Sequence, residues 1–213
     1  MTQLDGPRWG PGPGEAIGLI VLCHGVGADG FDLIDLAPHW AGSVPGVAFA
    51  APHGPEPYDM APFGRQWFSL QDRTLARLAT GVAAASDSLD SFIDSELLRL
   101  GLPPKSVALM GFSQGAMTVL HAGLRRAIPP LAILAFSGAL LPPASLGATR
   151  PQVLLVHGEA DEVVPVERSR LAESVLQAAG VPVESHYAAG LGHGLDDTGL
   201  ALGGLALQRA FAG

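Results

Sequence analysis

The chain has 213 residues, 48% of them apolar and 15% charged, with a formal charge of −8. That balance excludes a solvated disordered chain, and the length suits one α/β domain of about 200–250 residues, large enough to bury a core without staples. No basic run exists, so nucleic-acid binding has no electrostatic support; the acidic balance favours a neutral or cationic small substrate.

Residues 1–14 interleave Pro7, Pro11 and Pro13 with glycines and are expected to form a flexible arm ahead of a single domain over 15–213. The arm lacks the basic start and apolar core of a signal peptide, and no stretch approaches the ~18–20 uninterrupted apolar residues of a membrane span. A cytoplasmic location is expected. Ala16 to Cys23 reads as a buried strand ending at His24-Gly25. Cys23 is the only cysteine, so no intrachain disulfide can form, which fits a reducing compartment. A helical pattern runs from Asp32 to Trp40, and Val47 to Ala51 is a second apolar strand closed by Pro52. Residues 52–72 are irregular, Pro-rich and aromatic, the kind of long loop that usually carries function.

From Thr80 to Leu100, apolar positions Val82, Ala85, Leu89, Phe92, Ile93, Leu97 and Leu100 recur at helical spacing. Gly101 and Pro103-Pro104 stop that helix; residues 73–79 are read either as its first turn or as the end of the loop. Further strands are expected at 106–110, 131–136, 153–157 and 181–187, and further helices at 116–126, 167–179 and 195–211, the last weakened by Gly199, Gly203 and Gly204. Strand then helix, repeated, implies a mostly parallel sheet with helices on both faces.

The strongest chemical signal is Gly111-Phe112-Ser113-Gln114-Gly115, a G-x-S-x-G with an apolar strand before it and a helix-compatible run after it. Glycines flank the serine because the turn is tight, and the following helix N-terminus favours developing negative charge. Taken alone, the same five residues also read as a Gly-rich turn with a capping serine. Serine needs a base. Among seven histidines, His193 stands out in the glycine-rich loop after the last strand, while His24 and His157 end strands and are expected to bond nearby backbone. His121 lies in the helix after Ser113 and is expected to face the sheet or solvent; His39, His53 and His186 have no distinguishing context. Asp161 follows a strand at the carboxyl edge of the sheet, where ligand sites of open parallel sheets lie; Glu159 and Glu162 are nearby rivals. The alternative for all three acids is capping the next helix. The order Ser113, Asp161, His193 is that of α/β-hydrolases. The amides of Val26 and Gln114 are the candidate oxyanion donors.

Five segments together resemble the phospholipase/carboxylesterase family of α/β-hydrolases, which includes acyl-protein thioesterases: Cys23 to Gly30, Arg65 to Phe68, Gly111 to Ala116, His157 to Pro165, and Gly192-His193. The resemblance spans almost the whole chain and implies an α/β-hydrolase fold without a large cap domain. It implies a Ser-His-Asp mechanism on carboxylic esters or thioesters, no metal or organic cofactor, and an oxyanion hole at Val26 and Gln114. Two departures stand out: Cys23 replaces a leucine, and Trp67-Phe68-Ser69 lacks the carboxylate of the family's Trp-Phe-Asp. Trp67, Phe63, Phe68 and Leu70, with Met60 and Leu75, are candidates for the substrate pocket; for Trp67 anchoring the loop is the favoured role, and core or loop packing accounts for the others equally well.

The reading is a serine carboxylesterase for small or medium esters. Alternatives are a lysophospholipase or thioesterase, a dienelactone-type hydrolase (which typically has cysteine at the elbow), and a non-catalytic binding protein of the same fold. A homodimer is compatible with the sequence and not required by it.

Overall fold

The computed structural model describes residues 3–142 and 150–212. The chain runs through β1 (Arg8–Trp9), β2 (Gly18–Cys23), α1 (Gly30–Ile34), α2 (Ala37–Ala41), β3 (Val47–Ala50), β4 (Glu56–Pro57), β5 (Arg65–Gln66) and α3 (Leu75–Leu100). It continues through β6 (Val107–Phe112), α4 (Gln114–Arg125), β7 (Ala132–Phe136), β8 (Gln152–Gly158), α5 (Glu167–Ala178), β9 (Val183–Ala188) and α6 (Asp197–Ala212). The main sheet has the order β1-β3-β2-β6-β7-β8-β9, and β4 and β5 form a separate hairpin. All neighbouring pairs in the main sheet are parallel except β1 with β3.

The strands are apolar on both faces because both faces are covered. Successive residues of a strand point to opposite sides. Leu19, Val21, Leu109, Ile133 and Leu155 therefore enter the core beneath α3, α4 and α5. Ile20, Leu22, Met110, Leu134 and Val156 enter the other core, with Leu33 of α1, Trp40 of α2 and Leu207 of α6. The seven apolar positions read as a helix stripe between Val82 and Leu100 are all buried. That helix begins at Leu75, so residues 75–79 are its first turn, and Gly101 closes it in a left-handed conformation (φ 73°).

Three expectations change. The helix over Asp32–Trp40 is two short helices, with Pro38 in the first turn of the second, where its missing N–H costs no bond. The N-terminal segment, expected to be a flexible arm, docks. Leu4 is buried, β1 extends the sheet along β3, and Arg8 holds the Glu96 carboxylate at 2.7 Å. The glycines of α6 are contact points: a Cβ at Gly203 would lie 2.9 Å from the Trp40 ring, and one at Gly199 2.8 Å from Val156. Among the described residues, no helix is long and apolar enough to cross a membrane.

Candidate active site

β6 ends directly in the elbow. Ser113 has φ 54° and ψ −116°, a conformation that non-glycine residues rarely adopt and that a surrounding scaffold must hold. The scaffold is visible. The Ser113 amide donates to Phe136 O at 2.9 Å. A Cβ at Gly111 would sit 2.4 Å from the Gly115 carbonyl carbon, and one at Gly115 would sit 1.9 Å from Cys23 O. Only glycine lets β2, β6 and α4 approach so closely.

The loops after β8 and β9 are stitched together by two backbone bonds, Glu159 N–H to Ala188 O and Ala160 N–H to Leu191 O, both 2.9 Å. Gly158 permits the crossing, since a Cβ there would lie 2.2 Å from Leu191 O. The result is a line of three side chains: Ser113 Oγ lies 3.0 Å from His193 Nε2, and His193 Nδ1 lies 2.7 Å from Asp161 Oδ2. A carboxylate only accepts, so Nδ1 carries the hydrogen and Nε2 accepts from the serine. The His193 ring also packs on Phe112, with centroids 4.9 Å apart.

Asp161 Oδ1 accepts from the Val163 and Val164 amides at 2.9 and 2.8 Å. Burial alone raises its pKa, but the His193 bond and these two amides outweigh it and hold the carboxyl below its usual range. The rival acids do not reach His193: Glu159 is exposed and pairs with Arg170 at 2.6 Å, and Glu162 is exposed.

His157 does more than bond backbone. Its Nε2 lies 2.8 Å from Val164 O and 3.1 Å from Asp161 Oδ2. Both oxygens accept, so Nε2–H donates and Nδ1 accepts from Ser169 Oγ at 2.6 Å. Asp161 Oδ2 is thus held from two sides, by His193 and His157. No spacing rule in the chain singled out Ser169; the signal available was a histidine four residues before the acid.

The loop after β2 faces the elbow. Val26 N–H has no hydrogen-bond acceptor among the described residues, whereas Gly27 and Ala28 donate to Arg65 O and Gly25 O. Gln114 N–H, in the first turn of α4, has no acceptor within its own helix. His24 Nδ1 bonds Gly25 O at 2.7 Å and its Nε2 accepts from Gly54 N–H at 2.8 Å; burial pushes its pKa down. The Arg65-Gln66-Trp67-Phe68 segment is the brace of this loop. Arg65 bonds Gly54 O and Pro55 O, Trp67 Nε1 donates to His24 O at 2.9 Å, and the Gln114 side chain bridges Trp67 N–H and Phe68 O.

A cavity of about 480 Å³ opens at Ser113, lined in part by Val26, Gln114, Leu70, Met60, Leu75 and Met117. Leu70, Met60 and Leu75 therefore line the cavity at Ser113. Trp67, Phe63 and Phe68 do not line it. Trp67 and Phe68 are buried in the core beside α3, and Phe63 is exposed. The indole of Trp67 and the ring of Phe68 are taken up by anchoring the loop, whereas Phe63 is not. His121, expected to face the sheet or solvent, faces α3 and meets Ser86 Oγ at 2.9 Å. Cys23 is fully buried, which pushes its thiol pKa up and keeps it unreactive.

The comparisons with known proteins agree with this architecture. The phospholipase/carboxylesterase family model matches residues 12–202. Esterase YpfH of Escherichia coli (strain K12) is 30% identical over 181 residues, 84% of this chain and 77% of the relative. An acyl-protein thioesterase 1 of Gibberella zeae is 26% identical over 204 residues, covering 86% of each. The crystal structure of esterase PE8 superposes with a TM-score of 0.91 at 38% identity, over 98% of this chain and 100% of that one. The chain, with its mostly parallel sheet and no large cap, has the α/β-hydrolase fold and belongs to the phospholipase/carboxylesterase family.

Proposed function

We propose that the protein is a serine carboxylic-ester hydrolase acting on small or medium esters through an acyl-enzyme intermediate. The observation that carries this is the continuous line Ser113 Oγ, His193, Asp161 at the cavity, in the one tautomer that lets His193 accept a proton from the serine. In the reaction, Ser113 Oγ attacks the ester carbonyl while His193 Nε2 takes its proton. The carbonyl oxygen becomes an oxyanion held by the Val26 and Gln114 amides. The tetrahedral intermediate collapses, and the leaving alcohol takes the proton from His193. Water, deprotonated by the same histidine, then releases the acid and regenerates Ser113. Asp161 stays ionised, because its hydrogen bonds favour the charged form, and so stabilises the imidazolium. His157 and the Val163 and Val164 amides keep that carboxylate aimed.

Thioester or lysophospholipid hydrolysis uses the same steps; the apolar cavity lining and the likeness to an acyl-protein thioesterase support it as a second reading. A screen across acyl lengths with oxygen and sulfur leaving groups separates the two. The test of the hydrolase reading is Ser113→Ala. It should keep its melting temperature and lose 4-nitrophenyl acetate hydrolysis by at least about a thousandfold. Undiminished turnover in a folded variant refutes the assignment.

A further inference from the structure

The charge of the cavity is opposite to that of the chain. The formal charge is −8, yet among the described residues the only charged ones lining the Ser113 cavity are Arg73 and Arg168. They reach it from different walls, Arg73 from the segment before α3 and Arg168 from the first turn of α5. Both residues are exposed.

Neither has a carboxylate partner among the described residues; Arg65 has none either, but its guanidinium is taken up by Gly54 O and Pro55 O. Arg8, Arg77, Arg99, Arg125, Arg126, Arg170 and Arg209 each pair with an Asp or Glu. Among the described residues, Arg168 has no ion pair, and Arg73 has only a 3.3 Å bond from Nε to Leu70 O. The nearest acid in sequence to Arg73, Asp72, is committed elsewhere: it accepts from Thr74 N–H at 2.9 Å and faces Arg77 at 3.7 Å. Glu167, next to Arg168, lies in the first turn of α5 and does not line the cavity. Residues 143–149 contain no acidic side chain, so that stretch supplies no carboxylate to either arginine. Much of the rest of the lining is apolar, with Leu75, Leu78, Met117, Leu140 and Leu141.

We propose that this cavity selects carboxylic esters bearing a second, anionic group, a carboxylate or a phosphate, which Arg73 and Arg168 engage while the apolar lining holds the chain between. The proposal rests on Ser113 being the nucleophile. Guanidinium suits both anions because its planar fork donates two parallel hydrogen bonds to either. The apolar wall disfavours short polar acids, and the two cations disfavour cationic esters. The neutral or cationic substrate expected from net charge is thereby replaced by an anionic one, since local charge at a cleft outweighs the distant sum within a Debye length of about 8–10 Å.

The test compares two substrates with the same six-carbon acyl chain and the same leaving group, 4-nitrophenyl hexanoate and mono-4-nitrophenyl adipate. At low ionic strength, kcat/KM should be about tenfold higher for the adipate hemiester, mostly through KM, and the ratio should collapse toward one near 1 M salt, where the Debye length is about 3 Å. In Arg73→Gln/Arg168→Gln the ratio of the two substrates should fall by about tenfold, and the double Arg→Lys variant should restore part of it. Arg168→Glu should lower the ratio further. Inhibition of hexanoate-ester hydrolysis by adipate and by hexyl phosphate distinguishes the two anion sources: stronger inhibition by one than by hexanol names that source. A wild-type ratio at or below one, or a ratio unmoved in a folded double glutamine variant, overturns the proposal. So does inhibition by neither anion beyond that of hexanol. If both esters are hydrolysed equally and Ser113→Ala abolishes both, only the anion selectivity fails; if Ser113→Ala leaves both intact, the hydrolase reading fails with it.

Discussion

Replacing Asp161 by Asn keeps size and removes charge, and the geometry dictates the consequence. Oδ1 accepts two amides, from Val163 and Val164, so the new side chain must place its carbonyl oxygen there. Its NH2 then takes the place of Oδ2, 2.7 Å from His193 Nδ1 and 3.1 Å from His157 Nε2. Both nitrogens carry hydrogen in the native arrangement, so donor meets donor at each. His193 must shift its hydrogen to Nε2 and can then no longer accept the proton of Ser113. The wrong tautomer in a serine triad costs about ten-thousandfold in kcat, equivalent to about 5–6 kcal/mol at ~1.4 kcal/mol per tenfold. His157 keeps Val164 O as its acceptor at 2.8 Å, so the loss should fall on kcat rather than on the melting temperature. The assay is 4-nitrophenyl acetate hydrolysis with a thermal melt on the same sample. Glu159→Gln is the control: its carboxylate faces Arg170 on the surface, so a change below about twofold is expected. A folded Asp161→Asn variant with more than about a tenth of wild-type kcat would refute the reasoning. So would a larger loss in Glu159→Gln.

Two further predictions concern the scaffold. Gln114→Ala leaves the buried Trp67 N–H and Phe68 C=O without the side chain that pairs both, at about 1–3 kcal/mol each. The melting temperature should drop by about 5–20 °C at ~2–4 °C per kcal/mol for a chain this size; a drop of under ~2 °C would mean that the bridge does not hold the loop. Arg8→Ala probes the docked N-terminus. Burial raises the Glu96 carboxyl, but hydrogen bonds from Arg8 and Arg99 outweigh it and hold it below its usual 4.5. Its contribution is therefore present above that value and lost as pH falls through the lower, folded one. Arg8 is about a third exposed and Glu96 keeps Arg99, so the variant should lose about 1–2 kcal/mol at pH 7. That gap should shrink as the solution is acidified below the usual value of Glu96; a gap independent of pH contradicts the pairing.

Much of this was legible from the chain because the signals are local. The stripe from Val82 to Leu100 and the apolar strands β2, β3, β6, β7 and β8 follow from period and burial. The elbow and Asp161 could be placed because each follows an apolar strand, and His193 because it sits in the glycine-rich loop after the last strand; the parallel sheet brings those ends to one edge. What escaped depends on partners far away in sequence. Arg8 meets Glu96 across 88 residues, and nothing near Arg8 announces it. Trp67 and Phe68 look alike from sequence whether they line a cavity or anchor a loop; the deciding partners, His24 O and the Gln114 side chain, lie more than 40 residues off. Gly199 and Gly203 read as helix weakeners, and only the ring of Trp40 and the side chain of Val156 explain them as contacts. The arginines at the cavity were invisible in the net charge, since a sum over the chain says nothing about which charges share a wall.

The most direct measurement of the central claim is active-site titration with a fluorophosphonate, then peptide mass spectrometry. One adduct per chain on Ser113, formed in step with the loss of esterase activity and absent in His193→Ala, is the expected result. An adduct on another residue, or full esterase activity after stoichiometric labelling, contradicts the assignment of Ser113 as the nucleophile.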